Sequence, residues 1–114
     1  MSVHIVTSHG ADFFGEDRYE IRDLQALAGY AEGTLPHADR QVLVRILAHA
    51  GSGDQEVPAD QAAEMAGLFR RVAAHGFTRT KPAAHAMLLA AAAARAASDG
   101  EPWTWTLTTT KEAN

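Results

Sequence analysis

The chain has 114 residues, 46% hydrophobic and 21% charged, with a formal net charge of −4 and no cysteine. That size and balance predict one compact domain spanning 1–114 and exclude an intrinsically disordered chain. The missing thiols exclude disulfides, thiolate zinc sites and cysteine nucleophiles.

The first predicted element is a strand in "SVHIVTS", where Val3, Ile5 and Thr7 alternate with His4, Val6 and Ser8 and both faces look covered. A loop follows through "HGADFFGE", with Phe13 and Phe14 turned inward and Gly10 and Gly15 supplying unusual backbone dihedrals. Asp17 and Glu20 then form a D-x-x-E pattern, read as a capping box for a helix from about Arg18 to Glu32, with Gly33 as its stop. The apolar positions Ile21, Leu24, Ala28 and Ala31 give that helix one continuous stripe. A second helix begins around "LPHADR", carries Leu43, Ile46 and Leu47, and ends at Gly51, where a left-handed residue is expected.

The segment "GSGDQEV" reads as a flexible joint, too short to divide two domains. A third helix runs from Pro58 to His75 and stops at Gly76, and a fourth runs from a cap at Thr80 through Pro82 to Asp99-Gly100. The last element, "PWTWTLTTT", alternates Trp103, Trp105 and Leu107 against Thr104, Thr106 and Thr108, the pattern of a half-buried strand. The predicted class is α+β in the order β-α-α-α-α-β, a four-helix layer whose N- and C-terminal strands pair into a small sheet.

Because a two-stranded sheet is marginal in water, a free strand edge is expected to meet its copy in a homodimer. The interface is assigned to Trp103, Trp105, Thr104 and Thr106 of the last strand.

Charge is uneven along the chain: residues 1–66 hold 4 Arg against 11 acids, and residues 67–114 hold 6 Lys or Arg against 3 acids. The two halves are expected to attract. The acids Glu16, Asp23, Glu32 and Asp39 form a candidate surface for a basic protein partner. A basic patch of Arg70, Arg71, Arg79 and Lys81 admits phosphate-backbone contact, but the Ala-rich helix after it lacks base-reading side chains, so nucleic acid is disfavoured.

The residues that fit chemistry lie in the first loop. His9 with Asp12 suits a base and its orienting carboxylate, and His4, His9, Asp12 and Glu16 are the metal-ligand candidates. Ser8 beside His9 suggests a hydrolase, but adjacent residues seldom face each other and the G-x-S-x-G elbow is absent. No HExxH, calcium-loop or phosphate-loop pattern occurs, so no cofactor is assigned and an enzyme is disfavoured. The opening "MSVHIVTSHG" has no signal-peptide pattern, and no apolar run is free of charge for long enough to span a bilayer, so a cytoplasmic protein with no membrane contact is expected.

The stretches "SHGADFFGEDRYEIRDL", "LP" and "EPWTWTL" resemble a family of small uncharacterised proteins from high-GC actinobacteria such as Streptomyces, over nearly the whole chain. The resemblance implies a shared fold and an accessory role, and it carries no activity or site residue. The functional expectation is a small regulatory or protein-interaction module, with a metal- or small-ligand-binding protein or enzyme using the Ser8 to Glu16 loop as the alternative, and a weak nucleic-acid backbone binder through the Arg70 to Lys81 patch as a further one.

Overall fold

The computed structural model describes residues 2–11 and 14–110, so the candidate Asp12 and its neighbour Phe13 lie outside the described residues. The elements are β1 (Ser2–Ser8), β2 (Glu16–Glu20), α1 (Ile21–Thr34), α2 (His37–Ala48), β3 (Gln55–Val57), α3 (Ala59–Ala74), α4 (Thr80–Asp99) and β4 (Trp103–Thr110). The strands form one antiparallel sheet in the order β2-β1-β4-β3. The two strands expected to pair do so at its centre, from Ser2↔Thr110 to Thr7↔Trp105.

Two strands correct the sequence-based reading. Glu16–Glu20 is β2, paired from His4↔Glu20 to Ser8↔Glu16, so α1 starts at Ile21 and not at Arg18. The Asp17–Glu20 capping box does not form. Glu20 is itself the N-cap and makes no side-chain cap bond, pairing with Arg22 at 2.7 Å instead, while Asp17 accepts a bond from the Ala11 N–H at 3.0 Å. The supposed joint "GSGDQEV" contains β3, whose three residues are extended by Asp54 Oδ1 accepting from the Leu107 N–H at 2.8 Å.

Helix ends also differ in detail. Gly33 lies inside α1, which closes on extended Leu35, whereas Gly51 and Gly100 take positive φ just beyond α2 and α4, as helix-terminating glycines do.

One face of the sheet is dry. Ile5, Thr7, Tyr19, Val57, Trp103 and Trp105 are buried there with side chains from all four helices, and the Trp103 ring meets Phe69 of α3 edge-on at 6.3 Å. Trp103 and Trp105 are fully buried and stack edge to face at 5.3 Å, so the two indoles assigned to an interface are core residues. Burying two indoles removes about 150–250 Å² each from water, which is the largest single contribution to this core.

The opposite face carries His4, Arg18, Thr104, Thr106 and Thr108 around a buried Val6 and is otherwise polar, as one side of an antiparallel sheet is free to be. Four strands give the terminal pair its own neighbours, which removes the physical need for a partner at their edges. The outer strands also resist pairing: β3 is short, and an antiparallel copy of "EDRYE" centred on Arg18 sets Glu16 opposite Glu20.

In α4 the buried positions include Ala86, Ala90, Ala92, Ala93 and Ala96, and small side chains there let the helix lie close to its neighbours. Leu in place of Ala93 is expected to overpack this contact and cost about 1–3 kcal/mol, read as a lower urea midpoint at unchanged m-value.

Burial raises the pKa of the Tyr19 phenol, the Asp17 charge adds to that rise, and the Arg95 guanidinium opposes it. The unfolded chain therefore releases this proton at about pH 10 while the folded chain keeps it. The associated stability is complete below about pH 10 and falls as pH climbs above it. Urea midpoints measured across that range are expected to drop more steeply for the wild type than for Tyr19→Phe; parallel profiles would contradict this assignment.

Candidate metal centre at the end of β1

Where β1 ends, His9 takes φ +59°, a left-handed backbone unusual for a residue other than glycine. The turn is held from several sides. Arg95 of α4 donates from Nε to the His9 carbonyl at 2.6 Å, and the Gly10 N–H donates to the Gly15 carbonyl at 2.9 Å. Gly10 itself sits against the backbone of Glu16 and Asp17, where a Cβ has no room.

This geometry brings together side chains that the sequence reading kept apart. Ser8 Oγ and His9 Nδ1 lie 3.0 Å apart, although adjacent residues in an extended strand point to opposite faces, because the left-handed turn at His9 swings the ring back. Ser8 Oγ also accepts the Thr104 N–H at 2.9 Å, and the Ser8 carbonyl accepts the Trp103 indole N–H at 3.1 Å. Ser8 is therefore fastened to β4, with its hydroxyl used as an anchor for the imidazole.

The outward nitrogen, His9 Nε2, faces two carboxylates: Glu101 Oε1 at 3.2 Å and Asp99 Oδ2 at 3.7 Å. One donor atom from each of His9, Asp99 and Glu101 falls within 4.8 Å of the others. The His9 side chain is 17% exposed, while the acids are more than half exposed at the mouth. Asp99 is the last residue of α4, so the negative end of that helix dipole adds to the two carboxylates, partly offset by Arg95.

Three proton arrangements are open to the ring. If only Nδ1 carries a proton and donates to Ser8 Oγ, Nε2 turns a lone pair toward two anionic oxygens, and a metal ion between them relieves the repulsion; with both nitrogens protonated, Nδ1–H keeps the Ser8 bond and Nε2–H forms an ion pair with Glu101 and Asp99. If the Ser8 hydroxyl donates to Nδ1, Nε2–H donates to Glu101.

The other candidates lie elsewhere. His4 Nε2 accepts from Arg18 Nη1 at 2.9 Å on the open face, within β1 and five residues before His9. Glu16 lies in β2 and is not among the grouped donors. Phe14, expected inside, is 78% exposed. A groove of about 530 Å³ opens beside Val3, His4, Arg18 and Arg22, but the charged groups on its walls pair with one another.

The expected attraction between the halves is present as Arg71–Asp39 at 3.1 Å and Lys81–Asp23 at 3.9 Å, exposed pairs worth about 0–1 kcal/mol each. These contacts engage part of both the acidic surface and the basic patch.

Asp99 and Glu101 were legible in principle. Pairing the first and last strands antiparallel, with Thr7 opposite Trp105, sets the residues before β4 beside the residues after β1. Both strands and their pairing are expected from the sequence, and the antiparallel register that joins these ends comes from the structure.

The fold and site together define a small α+β domain with a histidine–carboxylate cluster at one end of its sheet. The chain belongs to the family described as Domain of unknown function (DUF7739), which matches residues 10–106. No curated protein and no solved structure matches it significantly. Among the described residues no helix is long and apolar enough to cross a membrane.

Gly10→Ala tests how tightly this turn is built. The added methyl meets main chain rather than a flexible side chain. A loss of about 2 kcal/mol or more is expected by denaturant melting, and a neutral result would show that the turn gives way easily.

Proposed function

We propose that this domain binds a divalent transition-metal ion through His9 Nε2, Asp99 Oδ2 and Glu101 Oε1. The observation that carries the reading is the convergence of these three donors, with His9 Nε2 at 3.2 Å and 3.7 Å from the two oxygens. Ligand atoms about 2.0–2.1 Å from a tetrahedral zinc lie about 3.3 Å from one another, so small adjustments of two exposed carboxylates complete the geometry.

One imidazole and two carboxylates suit zinc and the neighbouring first-row ions rather than calcium, which prefers six to eight oxygens. Ser8 holds the inner ring nitrogen, the arrangement that orients a ligating histidine. Three protein ligands leave a coordination position for water or for a ligand atom supplied from outside. The regulatory reading fits this site without an enzyme: a bound ion ties the end of α4 to the end of β1.

The test is calorimetric titration of metal-stripped protein with zinc, and with cobalt followed by visible absorption. One equivalent per chain is expected, with affinity at least tenfold weaker in His9→Ala and in Glu101→Gln, and about 10–100-fold weaker in Ser8→Ala. Affinity falls on acidification because protons compete for the ligand atoms. Absence of saturable binding, or equal binding by His9→Ala, refutes the proposal.

A further inference from the structure

Under the sheet, several buried polar atoms have no partner among the described residues: Thr7 Oγ1, Asp17 Oδ2, Tyr19 OH and Trp105 Nε1. They are not scattered. Asp17, Thr7 and Trp105 are directly paired residues of β2, β1 and β4, so they form one rung on the helix-facing side of the sheet. Tyr19 is two residues from Asp17 on the same face, and the Asp17 charge acts on its hydroxyl. Thr7 and Trp105 are fully buried and Tyr19 is 4% exposed.

The hydrogen-bonding inventory of this rung is mixed in a specific way. The Trp105 indole N–H only donates, the Asp17 carboxylate only accepts, and the two hydroxyls do either. Together they can supply two donors and two acceptors, which is the complement of one tetrahedral water molecule. Buried polar groups are almost always satisfied, and internal waters making about three hydrogen bonds are the usual means when protein partners are lacking.

We propose that the rung formed by Asp17, Thr7 and Trp105, together with Tyr19, is a binding site for an internal water that is an integral part of the fold. The water joins β2, β1 and β4 beneath the helices. It also steadies Asp17, whose other oxygen holds the Ala11 N–H and with it the turn after His9. This site does not depend on metal binding at His9.

The sign of a stability change decides the matter. If the hydroxyls are truly unpaired, removing one without changing shape stabilises the protein; if they hold water, removal leaves the water and Asp17 short of a partner. Thr7→Val and Tyr19→Phe are each expected to lower Tm by about 4–8 °C, and the double variant by less than the sum, because both serve one molecule. In the wild type, the Trp105 indole proton is expected to show a rotating-frame Overhauser peak to long-lived water, and a high-resolution crystal structure of the chain a density peak on the rung.

A raised or unchanged Tm in both variants overturns the proposal. So does a crystal structure in which Tyr19 bonds Asp17 directly with no density between the strands. Should the variants fail to fold, the wild-type Overhauser measurement decides: a water peak at Trp105 supports the site and its absence refutes it.

Discussion

The indole of Trp103 is the contact on which the rest of the structure depends. Its ring lies fully buried between Phe69 of α3 and Trp105, and its N–H reaches across to the Ser8 carbonyl at the end of β1. One side chain thus supplies apolar burial against the helices and a polar bond to the neighbouring strand. The position of Ser8 follows from that bond and from the Thr104 N–H, and the orientation of His9 follows from Ser8. The candidate site therefore stands on the largest buried side chains of the domain, although two of its three donors are exposed.

The central strands and the four helices were legible because each carries its own periodic signal. Trp103, Trp105 and Leu107 alternate with threonines, and α3 repeats Ala62, Met65, Leu68, Phe69 and Val72 on one stripe. The two edge strands were not legible, for different reasons. In β2 a single aromatic, Tyr19, marks the inner face among four charged residues, and Asp17 and Glu20 imitate a helix cap. In β3 only three residues pair, and part of the ladder is made by the Asp54 side chain rather than by main chain. Local pattern reading has no access to an element whose hydrogen bonds come from a strand about 50 residues away.

The site divides in the same manner. His9 stands out in the sequence as an imidazole in a glycine-flanked loop, and its anchor Ser8 is its neighbour. Its carboxylate partners lie about 90 residues further on, at a helix end where an aspartate and a glutamate around Gly100 look like ordinary punctuation. Only the register of β1 against β4 unites them. Asp17, read locally as a cap, supports the turn through Ala11 instead, because β2 turns its side chain under the loop rather than toward a helix start.

That same register governs how the chain assembles. The middle of the sheet joins Ser2 to Thr110, so its closure brings together residues 108 positions apart. The entropy of closing so long a loop must be met before the pairing repays it, whereas β1–β2 and the α3–α4 hairpin need only short excursions. During synthesis those local units have the opportunity to form while β4 is still on the ribosome. Within this domain Trp103 and Trp105 follow every helix in the chain, and their burial closes the core that those helices share.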